Sequence, residues 1–134
     1  MDNEPGQKPR ILVFDDCEAT ASLMKTELEK KGYTVEVAHT VEQATKRILN
    51  PATRPEWVFL DVVMPRVTGE QFCRFLKGNG MFEGIKVVLC SAISKTDLEA
   101  AATRCGADGF VHKEALLGRE ALESLLKNSP PQGC

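Results

Sequence analysis

Several features that would point elsewhere are scarce or missing in this chain. No apolar run approaches the ~20 residues needed to span a bilayer, and the N-terminus lacks the apolar core of a secretion signal. Neither sign of charge prevails. Seventeen Lys and Arg against 19 Asp and Glu leave a net charge of −2, without the basic excess of a nucleic-acid binder. The five cysteines, Cys17, Cys73, Cys90, Cys105 and Cys134, contain no C-x-x-C pair. An odd, scattered set argues against a disulfide framework and for reduced thiols in a cytoplasm, with core roles for Cys90 and Cys105. His112 has no second suitable histidine nearby in sequence, so a zinc site is disfavoured and a capping, core or surface role is its default. Gly78, Gly80 and Gly84 mark a flexible connection and, not being followed by Gly-Lys-Ser/Thr, form no phosphate-binding loop. The expectation is a cytoplasmic protein with no nucleic-acid or membrane partner.

What is present suffices for one domain. The chain has 134 residues, 43% of them hydrophobic, enough for a core without staples and too many for disorder. Residues 1–9 read as a loose leader, 10–127 as the domain and 128–134 as a loose tail.

Strand and helix signals alternate along the domain. Residues 10–14 form a short apolar run, and 17–31 then place Leu23, Met24 and Leu28 at helical spacing before Gly32 ends the helix. Residues 33–38 alternate as a strand. Thr40 caps a helix to Leu49 with Ala44, Ile48 and Leu49 inward. Residues 57–60 read as a strand covered on both faces and ending on Asp61; Pro65 stops it, and residues 71–77 make a third helix on Phe72, Phe75 and Leu76. Residues 85–90 form a fourth strand. Ser94 and Asp97 cap an Ala-rich helix through Cys105, and residues 107–112 form a fifth strand. Gly118 disfavours helix, which puts the last one at about residues 119–127. This alternation predicts right-handed βαβ crossovers and a parallel sheet with helices on both faces.

Every strand but the second ends on a chemically useful group: Asp15-Asp16, Asp61, Ser91 and Lys113. In a parallel sheet these ends share one edge, where open α/β sheets place their chemistry. Singly, each has a plain explanation, such as a helix cap, a turn or a solvated amine. Together they suit a hard cation and a phosphoryl group. Clustered carboxylates raise one another's pKa unless a positive charge intervenes, and Mg²⁺ is held by carboxylates, carbonyls and waters. Lys113 can neutralise phosphoryl charge, the Ser91 hydroxyl can donate to it, and Asp61 can be the nucleophile.

Asp-Asp after the first strand, Asp-x-x-Met-Pro-x-x-x-Gly from Asp61 to Gly69, Ser-Ala after the fourth and Phe-x-x-Lys on the fifth resemble a response-regulator receiver domain. The resemblance runs from about residue 10 to residue 127. It implies a flavodoxin-like, doubly wound, five-stranded parallel sheet of order 2-1-3-4-5. It makes Asp61 the phosphoacceptor. Asp15, Asp16, Asp61 and the Val63 carbonyl would hold Mg²⁺ (or Mn²⁺). Lys113 would be the conserved-type lysine, and Ser91 and Phe110 the switch pair. The phosphoryl donor would be a sensor histidine kinase or a histidine phosphotransfer protein. The output would be an unidentified protein docking on the face around the fourth helix, fifth strand and fifth helix. Such a domain is a signalling module rather than an enzyme, acting as a monomer or weak homodimer, with Leu116, Leu122 and Leu126 as candidate apolar surface.

Three departures from the family pattern stand out. Glu114 follows Lys113 where proline is usual, which predicts a trans bond or a reshaped loop, and its negative charge near the phosphate site predicts weaker or altered activation. Val63 and Ile93 are apolar beside the site and cannot orient water, which predicts a long-lived phosphoryl group. Phe110 lacks a tyrosine hydroxyl to anchor it outward. Within the family, the alternative is a pseudo-receiver that binds partners without phosphorylation. A flavodoxin-like electron carrier would want a Ser/Thr/Gly-rich phosphate loop where Asp15-Asp16-Cys17 stand. A haloacid-dehalogenase-like phosphatase would want Asp-x-Asp at its first strand.

Overall fold

Strand β1 (Arg10–Phe14) sets the architecture because both its faces are apolar. Successive strand side chains point to opposite faces. In the computed structural model, which describes residues 9–63 and 68–118, Ile11 and Val13 pack with Ala21, Met24 and Leu28 of α1 (Glu18–Lys30) and with Leu117 of α5 (Lys113–Leu117). Leu12 and Phe14 pack the other way. Their partners are Ala44 and Ile48 of α2 (Val41–Leu49), Phe72 and Leu76 of α3 (Gly69–Lys77), and Leu98 of α4 (Lys95–Cys105). The helices are thus divided, α1 and α5 on one face and α2, α3 and α4 on the other.

The remaining strands are β2 (Thr34–Ala38), β3 (Trp57–Asp61), β4 (Lys86–Ser91) and β5 (Gly109–His112). They form a five-stranded sheet in the order β2-β1-β3-β4-β5, every neighbouring pair parallel. This is the expected 2-1-3-4-5 arrangement. Register brings Phe14 beside Leu60, Leu60 beside Leu89 and Ser91 beside His112, so the carboxyl ends of β1, β3, β4 and β5 share one edge.

Local chemistry explains most boundaries. Thr40 and Ser94 cap α2 and α4 by accepting the Gln43 and Asp97 N–H groups. Gly32 and Gly106, at φ 99° and 76°, end α1 and α4 in the left-handed conformation that glycine adopts freely.

Five readings need correction. Leu49, expected inward, is exposed at the end of α2, and of the three residues named for that helix Ala44 and Ile48 are buried. Helix α3 starts at Gly69, two residues earlier than its apolar pattern, because Thr68 and Gln71 close a capping box. A 3₁₀ turn, Gly80–Phe82, follows α3 where only a flexible connection was expected; the Asn79 side chain holds it by accepting the Met81 N–H. Helix α5 begins at Lys113, capped by His112, and it is this helix that Gly118 ends, at φ 91°. The helix expected at 119–127 lies outside the described residues, as do Leu122 and Leu126. Cys73, Cys90 and Cys105 are free and buried, but Cys17 is disulfide-bonded, against the expectation of reduced thiols. The expected leader and tail lie outside the described residues except for Pro9, whose carbonyl accepts the Thr34 N–H at 3.1 Å.

Candidate functional site

Strand β1 runs straight into Asp15, which is 1% exposed. One carboxylate oxygen accepts the Cys17 N–H at 2.9 Å, turning the chain into α1, and the other receives Lys113 Nζ at 3.0 Å. Asp61 closes β3. Its Oδ1 accepts the Val63 N–H at 3.2 Å and its Oδ2 faces Lys113 Nζ at 3.5 Å. Asp16 completes the group: ligand oxygens of Asp15, Asp16 and Asp61 all lie within 4.8 Å of one another. Both oxygens of Asp15 and of Asp61 thus have protein partners, whereas Asp16 Oδ1 is buried with none.

Gly69 makes the approach of α3 possible. A Cβ there would stand 2.2 Å from the Asp61 carbonyl oxygen, while the Gly69 N–H donates to the Val62 carbonyl at 3.2 Å. The glycine of the Asp61–Gly69 motif is therefore demanded by packing against the phosphoacceptor candidate's own backbone.

The electrostatics follow from burial. Desolvation pushes the Asp61 carboxyl up to about 7; the Lys113 charge opposes the rise and Asp15 adds to it. Burial, then Asp15, also raises Asp16. For Lys113, burial works against the ammonium, but Asp61 and Asp15 outweigh it and hold the group above its ordinary value. One buried cation therefore shares two carboxylates, with a third beside them, an arrangement short of positive charge. The donor set is all hard oxygen, and Asp16 Oδ1 is an orphan in search of a partner. Both properties fit Mg²⁺.

The other anticipated residues occupy the same edge. Ser91 is buried at the end of β4, and its Oγ accepts the Ile93 N–H at 3.3 Å, leaving its own proton for another partner. Val63 is 61% exposed beside Asp61, whereas Ile93 packs partly against the core, so of the two apolar neighbours only Val63 stands open to solvent. Phe110 is 41% exposed on β5. The described residues contain no cis peptide, so the Lys113–Glu114 bond is trans, as expected. The Glu114 N–H donates to His112 Nδ1 at 3.0 Å.

One residue escaped the sequence reading, which exempted the second strand. His39 follows the last residue of β2, and its Nδ1 lies 2.9 Å from the Asp15 carbonyl oxygen. The signal was available, a polar residue just past a strand end, but the backbone contact that makes it matter depends on the β1–β2 register.

Fold and site together define a doubly wound α/β protein with an acidic, lysine-bridged pocket at its sheet edge. Known proteins share this fold. The model of the response regulator receiver domain matches residues 11–127, and the chain belongs to that family. The response regulator MprA of Mycobacterium tuberculosis is 34% identical over 127 residues, covering 92% of this chain and 53% of its own length. The chain thus spans about half the length of the curated relatives it matches. Among solved structures, the receiver domain of a signal transduction histidine kinase from Syntrophus aciditrophicus is 29% identical with a TM-score of 0.67, covering 92% of this chain and 96% of that one. A receiver domain protein from Methanospirillum hungatei superposes with a TM-score of 0.68 at 23% identity, over 90% and 93% of the two chains. This chain is a response-regulator receiver domain of two-component signalling. Among the described residues no helix is long and apolar enough to cross a membrane.

Proposed function

We propose that Asp61 accepts a phosphoryl group from the phosphohistidine of a sensor kinase or phosphotransfer protein in the cytoplasm. A carboxylate oxygen of Asp61 bonds to phosphorus as the P–N bond breaks. The bonding pair leaves with the imidazole, which takes up a proton, and an acyl phosphate remains. The observation that carries this reading is the meeting of Asp15, Asp16 and Asp61 within 4.8 Å around a buried Lys113. Asp15, Asp16, Asp61 and the Val63 carbonyl would hold Mg²⁺ (or Mn²⁺). When bound, the ion supplies the positive charge that lets the carboxylates and phosphoryl oxygens sit together. Lys113, already between Asp15 and Asp61, then offers its ammonium to the phosphoryl oxygens.

Ser91 turns its hydroxyl to the phosphoryl group and Phe110, exposed beforehand, turns inward. The face around α4, β5 and α5 then docks a protein partner, a shift between two packings. The chain acts as a monomer or weak homodimer, and its net charge of −2 favours a protein rather than a nucleic acid as what this segment touches. The pseudo-receiver alternative draws on Glu114 alone and leaves the acid–lysine set unexplained.

Intact-mass spectrometry after incubation with Mg²⁺ and acetyl phosphate tests the reading beside Asp61→Asn. A phosphate-sized gain that vanishes in the variant supports it. No gain, with beryllofluoride also failing to bind, overturns it in favour of the pseudo-receiver.

A further inference from the structure

The backbone of Asp15 is gripped by the last residue of β2 and the residue that follows it. Its N–H donates to the Ala38 carbonyl at 3.1 Å, which continues the strand pairing by one step. Its carbonyl oxygen meets His39 Nδ1 at 2.9 Å. A carbonyl carries no hydrogen, so Nδ1 must be the donor. The sheet does not need this bond, since β1 and β2 already pair along their whole length from Arg10 and Thr34 to Phe14 and Ala38.

His39 is itself held. Its backbone N–H donates to Gln43 Oε1 at 2.8 Å, and the Gln43 N–H donates to the capping Thr40 Oγ1 at 3.1 Å. The backbone of His39 is thus anchored to the first turn of α2, a rigid element that fixes where its side chain departs.

The carbonyl that His39 holds belongs to the peptide joining Asp15 to Asp16. Orienting that peptide plane orients the bond from which the Asp16 side chain departs. Asp16 is the carboxylate whose Oδ1 is buried without a partner, and among the three acids it is the least restrained by other groups. We infer that His39 is a positioning residue for the cation site, its Nδ1–H fixing the Asp15–Asp16 peptide so that the Asp16 carboxylate is aimed at the ion. Groups that orient metal ligands typically change affinity roughly 10- to 100-fold when removed.

This inference rests on the reading of the acidic cluster as a cation site. The test therefore measures Mn²⁺ affinity of the unphosphorylated full chain by electron paramagnetic resonance, beside thermal melting in EDTA. His39→Asn places an amide nitrogen near the position of Nδ1, whereas His39→Gln and His39→Leu do not. The expected result is affinity about tenfold weaker in His39→Leu and His39→Gln, and close to wild type in His39→Asn. The EDTA melting temperatures should not follow that order, as they would for a merely structural role. If His39→Leu fails to fold, the Asn and Gln variants carry the comparison. Unchanged affinity in a folded Leu or Gln variant, or a loss in His39→Asn equal to that in His39→Gln, overturns the role of His39. A wild-type chain that binds no Mn²⁺ refutes the cation reading itself, and the role of His39 falls with it.

Discussion

Replacing Asp61 by Asn should stabilise the metal-free protein, and only above acidic pH. Asp61 is 7% exposed, and desolvation pushes its carboxyl from 3.8 up to about 7. The native state therefore holds this proton more tightly than the unfolded chain does. Stability from the group is complete below about pH 4 and is lost as pH rises through about 7. The gap between 3.8 and about 7 corresponds to at most about 4 kcal/mol, at about 1.4 kcal/mol per pH unit. Relaxation and water entry around a buried charge reduce such penalties, and about half, or ~2 kcal/mol, is expected to survive.

Asparagine keeps an oxygen to accept the Val63 N–H, has the shape of the protonated acid and cannot ionise. The variant should match wild type at about pH 4 and exceed it by ~2 kcal/mol at about pH 8, flattening above about pH 7. That advantage is equivalent to ~8 °C in melting temperature for a chain of this size. Urea and thermal unfolding in EDTA, followed by circular dichroism at both pH values, give the comparison. Saturating Mg²⁺ should then stabilise wild type but not the variant, closing the gap. A difference that does not change with pH, or a wild type more stable at about pH 8, would refute the electrostatic reasoning.

Four further outcomes are expected. Lys113→Met leaves Asp15 and Asp61 buried without their shared cation; it should cost ~3 kcal/mol at about pH 8 and much less at about pH 4, where the Asp61 proton removes the repulsion, measured by the same unfolding curves. Gly69→Ala sets a Cβ 2.2 Å from the Asp61 carbonyl oxygen, so it should cost ~2 kcal/mol or more and reduce phosphorylation by acetyl phosphate, since backbone has to move. Val63→Asn gives an exposed polar group beside Asp61 and should shorten the phosphoryl lifetime in a mass-spectrometric time course; an unchanged lifetime counts against water control at that position. Glu114→Pro removes the N–H that donates to His112 Nδ1 and pushes Lys113 out of its helical conformation, so it should weaken phosphorylation, and an unaltered rate would show that the α5 start is not needed for Lys113.

Much of the site was legible because its residues mark strand ends. Asp15, Asp16, Asp61, Ser91 and Lys113 each follow an apolar run, and a parallel sheet leaves those runs only one edge on which to finish. Thr40 and Ser94 were legible as caps because their chemistry is local. What escaped was set by contacts between distant segments. Gly69 starts α3, and its close approach to the Asp61 backbone shows only in three dimensions. Ile93 reads as a neighbour of the site and packs partly into the core. His39 stands outside every motif and reaches Asp15 only because β2 lies beside β1.

The linear pattern alone therefore determined the element types, the parallel sheet, its family and the acids and lysine of the pocket, since hydrophobic period and residue chemistry act over a few neighbours. Tertiary structure alone decided how charge is shared there. Lys113 bridges Asp15 and Asp61 across 98 and 52 residues of chain, Asp16 Oδ1 is left without a partner, and Asp61 is buried deeply enough to hold its proton to about 7. Desolvation and Coulomb energy depend on distance in space, which sequence spacing does not encode.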